Sequence, residues 1–173
     1  DRMTWARQQA PRVLADYGFD PDGHRRAIAR PVTFSSISEY KPHDIQLAVA
    51  EADGQIVVLE AETGAGKTEA ALYRFARLFA DGKVDGLYFA LPTRVAATSL
   101  YHRVKSAVAR LFPENARPAV ILAVPGYAKV NDVTARVLPG FDVQWDDDPD
   151  EATRRARWAA EHPKRFLAGT IAV

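Results

Sequence analysis

The apolar run Ile56-Val57-Val58-Leu59 passes almost directly into Ala61-Glu62-Thr63-Gly64-Ala65-Gly66-Lys67-Thr68, and a helix-forming segment follows. A buried strand that turns over a glycine-bearing loop into a helix commits the chain to an α/β fold, with the helix returning over a mainly parallel sheet. The same turn has a chemistry. A loop of small residues lets successive backbone N–H groups converge on a phosphate, and the helix behind it adds its positive end. Gly64 and Gly66 permit a close backbone approach, the Lys67 ammonium reaches the β- and γ-phosphates, and the Thr68 hydroxyl is placed for Mg2+. Thr63, Ala65 and Glu69 complete the residues expected around a bound nucleotide. The first loop position is Ala61, where this pattern usually has glycine.

Periodicity extends the α/β reading. Leu72, Phe75 and Phe79 recur at helical spacing and are expected to face a sheet, with Arg74 and Arg77 turned outward. Helices are predicted at His43 to Ala52, Thr68 to Ala80, Val95 to Leu111 and Glu151 to Glu161. Strands are predicted at Gln55 to Leu59, Val84 to Leu91, Ala119 to Val124 and Phe166 to Val173, each separated from the next by a crossover. Residues 1–39 form a lead-in, with Trp5, Val13, Leu14 and Tyr17 on a short amphipathic helix and a turn at Asp20-Pro21-Asp22-Gly23. There His24, Arg25 and Arg26 read as a solvated charged turn in preference to a phosphate patch. Residues 40–173 form the domain proper.

Composition excludes several classes. The 173 residues are 47% hydrophobic and 26% charged, ordinary values for a globular domain, and no apolar run approaches the roughly 18 residues that span a bilayer. No secretory signal is recognisable, and with no cysteine there is neither a disulfide framework nor a thiolate metal site, so a cytoplasmic protein is expected. A net charge of +1 means that any nucleic-acid contact must come from a local basic surface. The acidic run Asp146-Asp147-Asp148, with Asp150 and Glu151, follows no apolar strand and reads as a solvated loop. It is therefore distinguished from the acid pair that ends a buried strand in ATPases.

Two elements flank the loop. Upstream, Tyr40-Lys41-Pro42-His43-Asp44-Ile45-Gln46 places a glutamine 21 positions before Lys67, and a primary amide can both donate to and accept from an adenine edge. Taken alone, Gln46 reads as a helix-surface residue. Downstream, Leu91-Pro92-Thr93-Arg94 opens a helix, and Thr93 taken alone is a helix cap. The two elements in this order around a phosphate loop resemble the adenine-reading and Pro-Thr-Arg elements of superfamily 2 helicases. The resemblance narrows to the CRISPR-associated helicase-nuclease of type I systems. It is carried by residues 63–72, by residues 91–104, and by a tail in which Trp158, Lys164-Arg165-Phe166-Leu167-Ala168 and Gly169-Thr170-Ile171-Ala172-Val173 lead up to that family's Gly-Thr-Ile-Asp-Gln element.

The resemblance implies a RecA-like motor domain that hydrolyses ATP with Mg2+ and moves along single-stranded DNA, unwinding target DNA in CRISPR interference. It implies that Gln46 reads adenine and that Thr93 and Arg94, with Arg103, hold the DNA backbone. The CRISPR RNA-guided surveillance complex and the remainder of a helicase-nuclease chain are the implied partners. Ser99 stands where related helicases often have glutamine, and Val124-Pro125-Gly126-Tyr127-Ala128 where a His-Gly pair is common. The nuclease motif, the acid pair and a second motor domain do not occur in these residues, so the chain is expected to be the N-terminal part of a first motor domain and to turn over no ATP by itself. A repair or restriction helicase, a phosphotransferase unrelated to DNA and a nucleotide-responsive binding module remain the alternatives.

Overall fold

A computed structural model of the chain describes residues 2–16, 20–124, 127–130, 133–137, 143–144 and 169–173. Its helices are α1 (Arg2–Asp16), α2 (Pro21–Ala27), α3 (Asp44–Glu51), α4 (Lys67–Ala80) and α5 (Arg94–Leu111). Its strands are β1 (Leu87–Tyr88), β2 (Val120–Val124), β3 (Tyr127–Val130), β4 (Val133–Val137), β5 (Val143–Gln144) and β6 (Ile171–Ala172). They form one mixed sheet in the order β1-β6-β2-β3-β4-β5. The chain is α/β, as its alternating pattern requires.

Half of that sheet departs from the expected pattern. β6 lies between β1 and β2, parallel to both, with Ile171 opposite Leu87 on one side and Val120 on the other. From β2 onward the pairing is antiparallel through β3, β4 and β5. The expectation of a mainly parallel sheet thus holds only for the first three strands. Residues such as Lys129, Thr134 and Arg136 give β3 and β4 the mixed polarity of an antiparallel extension, which a search for continuous apolar runs passes over.

A second correction concerns Gln55 to Leu59, which joins no ladder among the described residues. Ile56 and Val58 are 86% and 89% exposed, while Val57 and Leu59 on the other side are half-buried. The alternation of an extended chain is present. A strand, however, is defined by a neighbour, and the neighbour is a non-local property that no local pattern encodes. Among the described residues, the expected strand at Val84 to Leu91 pairs as a strand at Leu87–Tyr88, with the Phe89 N–H donating to the Ala172 carbonyl beyond it. Close approach there depends on Gly86, where a Cβ would stand 2.7 Å from the Thr170 carbonyl oxygen that accepts from the Leu87 N–H. The expected helix at 151–161, the acidic run 146–151, and the tail residues Trp158 and 164–168 lie outside the described residues.

The core forms where α4 and α5 meet the sheet. α4 buries Leu72, Phe75, Ala76 and Phe79, and α5 buries Leu100, Tyr101, Val104 and Val108. These pack with Val120, Leu122 and Ile171 into one cluster. The face expected of α4 is the face it buries. α1 buries none of its residues, and Trp5 is 65% exposed.

The lead-in is more than a solvated turn. Asp20 caps α2 by accepting from the Asp22 and Gly23 N–H groups, so the expected turn is the start of a helix with Pro21 in its first turn. Arg25 lies over the Phe79 ring and donates to the carbonyls of Phe79 at 2.8 Å and Val84 at 3.1 Å, and to Asp85 at 2.7 Å. Arg30 donates to the carbonyl of Ala80. Both cations therefore cap the last turn of α4, where the carbonyls point out of the helix and the dipole is negative. Arg25→Ala should destabilise the chain by about 2–3 kcal/mol, because several charge-assisted bonds to backbone carbonyls are lost together. Arg25→Lys should recover less than half of this, because an ammonium cannot span the same fork. Urea denaturation of the three proteins measures both effects.

Candidate nucleotide-phosphate site

The loop ahead of α4 is built on two glycines. Gly64 has φ +91° and Gly66 φ +76°, both in the left-handed region that disfavours a side chain. The Ala65 N–H closes a turn on the Glu62 carbonyl at 3.2 Å, and Gly66 caps α4, its carbonyl accepting the Ala70 N–H at 3.0 Å. α4 runs for 14 residues, with Glu69 in its first turn. The outcome is a tight backbone loop at the positive end of a long helix.

Lys67 and Thr68 occupy the first two positions of that helix. The Lys67 ammonium folds back over the loop and donates to the carbonyls of Ala61 and Glu62, each at 2.7 Å. Thr63 and Gly64 are exposed, while Ala65, Gly66, Thr68 and Glu69 are half-buried. The residues expected around a nucleotide are thus brought together, and the loop presents its charge and small residues to solvent. Among the described residues no group of three His, Cys, Asp or Glu side chains could hold a metal ion. A magnesium ion would meet the Thr68 hydroxyl and the phosphates themselves. The positive-φ glycines, the surface ammonium and the adjacent hydroxyl suit a triphosphate with Mg2+.

Gln46 is not a surface residue. It is 3% exposed, and its amide is engaged at both ends. Oε1 accepts the His43 N–H at 2.8 Å, and Nε2 donates to the Gly66 carbonyl at 3.1 Å. At the far end of α3, Arg74 donates to the carbonyls of Val49 at 2.9 Å, Ala52 at 2.6 Å and Gly54 at 3.0 Å. Arg74, expected to point outward, is instead the cap of α3. Helical spacing alone could not show this, since a residue at the edge of the apolar face can turn toward either a neighbour or water. Arg77 reaches Glu51 at 3.7 Å.

The second group of expected site residues lies apart from the loop. The Thr93 hydroxyl accepts the Ala96 N–H at 3.2 Å and caps the 18-residue α5, and Arg94 is exposed beside it. They border a cavity of about 370 Å³ between β1, the start of α5, and the C-terminal ends of β2 and β6, with Tyr88, Pro92, Val124 and Val173 in its wall. In open α/β sheets this end of parallel strands is where ligands bind. Arg103 is elsewhere. Its guanidinium meets the Glu69 carboxylate at 2.5 Å, on the side of α5 that faces α4.

Comparison with known proteins was consistent with the resemblance. Over 141 residues, 76% of the chain, it is 28% identical to the CRISPR-associated nuclease/helicase Cas3 of Streptococcus thermophilus. Over 143 residues, 78% of the chain, it is 29% identical to the CRISPR-associated endonuclease/helicase Cas3 of Escherichia coli K12. A shorter stretch of 56 residues, 32% of the chain, is 46% identical to the CRISPR-associated endonuclease/helicase Cas3 of Thermus thermophilus, where it covers 6% of that protein. The chain spans about 15% of the length of the first two relatives. No family model matches the chain and no solved structure matches it. The chain is similar to a part of these Cas3 proteins.

Proposed function

We propose that the chain is the ATP-binding part of the first RecA-like motor domain of a Cas3-like protein, whose activity is ATP-driven movement along single-stranded DNA in CRISPR interference. The observation that carries this reading is the tight loop at the start of α4, with Gly64 and Gly66 at positive φ and the Lys67 ammonium on two loop carbonyls. Those carbonyls offer partial negative charge, and phosphate oxygens offer more. Lys67 can exchange one for the other by side-chain rotation, without moving the helix. The similarity to three Cas3 proteins supports a motor of this class.

In this reading the N–H groups of the loop and of the first turn of α4 hold the β- and γ-phosphates, Lys67 neutralises their charge, and Thr68 turns its hydroxyl to Mg2+. When bound, the ion would supply charge neutralisation to the phosphates. Thr93 and Arg94 hold a DNA phosphate at the positive end of α5, where backbone N–H groups also point outward. No helix among the described residues is long and apolar enough to cross a membrane. Association with the RNA-guided surveillance complex, a cytoplasmic location, and a second motor domain that closes over the nucleotide belong to the same proposal.

Lys67→Ala in the full-length protein should abolish ATP hydrolysis and unwinding while leaving the fold intact. Phosphate release and strand separation, with circular dichroism as the control, measure this; near-normal hydrolysis would remove the assignment. Arg94→Ala should weaken single-stranded DNA binding similarly for unrelated sequences and reduce the slope of log affinity against log salt by about 0.7, the value for one phosphate contact on a single strand. Titrations of two sequences at several salt concentrations test it, and a loss confined to one sequence would contradict backbone contact.

A further inference from the structure

Gln46 meets the phosphate loop with more constraint than reading a base requires. Its two amide atoms face partners of opposite kind, an N–H at His43 and a carbonyl at Gly66. The amide orientation follows from them, and a side chain of this length serves both only as an amide or as a protonated carboxyl. Gly66 is fitted to it. A Cβ on Gly66 would fall 2.1 Å from Gln46 Nε2, so the amide lies directly against the Cα of the residue that caps α4. The same Gly66 carbonyl also accepts from Ala70, so Gln46 and the first turn of the helix hold one peptide group between them. With Gln46 at one end of α3 and Arg74 at the other, α3 is tied to α4 at two points.

We propose that Gln46 is a positioning residue for the phosphate loop: by holding the Gly66 carbonyl it fixes the peptide whose far side, the Lys67 N–H, turns toward the phosphates. This rests on the phosphate-site reading above and extends it to a residue that the resemblance assigns to the base. The carbonyl and the following N–H belong to one rigid plane, so an anchor on the first sets the direction of the second. Preorganised donors bind phosphate better than donors that must be ordered on binding. The two bonds leave one Nε2 hydrogen and one Oε1 lone pair over for a base edge, so the positioning role is separate from any contact with the base.

The two roles separate on a ligand without a base. Inorganic tripolyphosphate with Mg2+ is titrated calorimetrically against the 173-residue chain, and ATP and GTP are titrated in parallel. Gln46→Ala should weaken tripolyphosphate about tenfold, and ATP and GTP by at least that factor. Arg74→Ala, which loosens α3 at its other end, should lower thermal stability yet leave tripolyphosphate affinity within about twofold, so general loosening of α3 does not explain the loss. Gln46→Glu supplies the acceptor but, when ionised, no donor. Its affinity relative to wild type at the same pH should recover as the pH falls from about 8 to 6, because a buried carboxyl with a raised pKa regains a donor on protonation. Unchanged tripolyphosphate affinity in Gln46→Ala, with ATP alone weakened, would overturn the proposal and return Gln46 to adenine. Equal losses in Gln46→Ala and Arg74→Ala would overturn it in favour of simple structural support. Failure of the wild-type chain to bind tripolyphosphate at all, or binding unaffected by Lys67→Ala, would instead overturn the phosphate site itself.

Discussion

The carbonyl groups at the ends of α3 and α4 determine where everything else in the described structure can sit. A helix end leaves up to four carbonyls without partners inside the helix, and in water these cost nothing. Here they are turned into attachments. Arg25 and Arg30 tie α2 and the segment after it to the last turn of α4, and Arg74 ties α4 back to the last turn of α3. Gln46 closes the circuit at the first turn of α4. These bonds are directional, whereas the apolar face of α4 against the sheet is not, and together they fix both the axis of α4 and the angle at which the loop enters it.

That division explains which parts of the structure could be read from the chain. Leu72, Phe75 and Phe79 repeat at helical spacing, and burial against a sheet is the only stable use of such a stripe, so α4 and its buried face were legible. The loop was legible for a different reason. Gly64 and Gly66 stand where a side chain would oppose positive φ, and residue type reports backbone conformation directly at such positions. Arg25, Arg74 and Gln46 gave no such signal. A polar residue on a helix looks the same in sequence whether its partner is water or a distant carbonyl. Their partners lie 54 residues away for Arg25, 25 for Arg74 and 20 for Gln46.

The sheet divides along the same line. β2 and β6 are buried on both faces, as Val120, Ile121, Leu122 and Ile171 show, and such strands read as apolar runs. The segment 55–60 reads in the same way, yet Ile56 and Val58 face solvent. Apolar content records that a segment needs cover. It does not record which strand provides the cover. β3 and β4 of the antiparallel extension carry polar residues between apolar ones, so their content marks neither a buried strand nor a helix.

Charge then decides how the loop and the start of α5 can be related. With 23 basic and 22 acidic residues the chain has almost no net field, and each arginine acts through its own surroundings. Arg110 reaches Glu39 at 3.2 Å, Arg77 reaches Glu51, and Arg103 reaches Glu69, so several surface cations already have a carboxylate nearby. Arg94 has no ion pair among the described residues, and it stands at the positive end of α5, where the helix dipole opposes a cation and favours an anion. Arg103 differs. It is nine positions further along the same helix, about 14 Å at 1.5 Å per residue, and its carboxylate partner sits in the first turn of α4. A pair in which the arginine is 51% exposed contributes about 1 kcal/mol or less to stability. The Glu69–Arg103 pair thus bridges the first turn of α4 and the middle of α5.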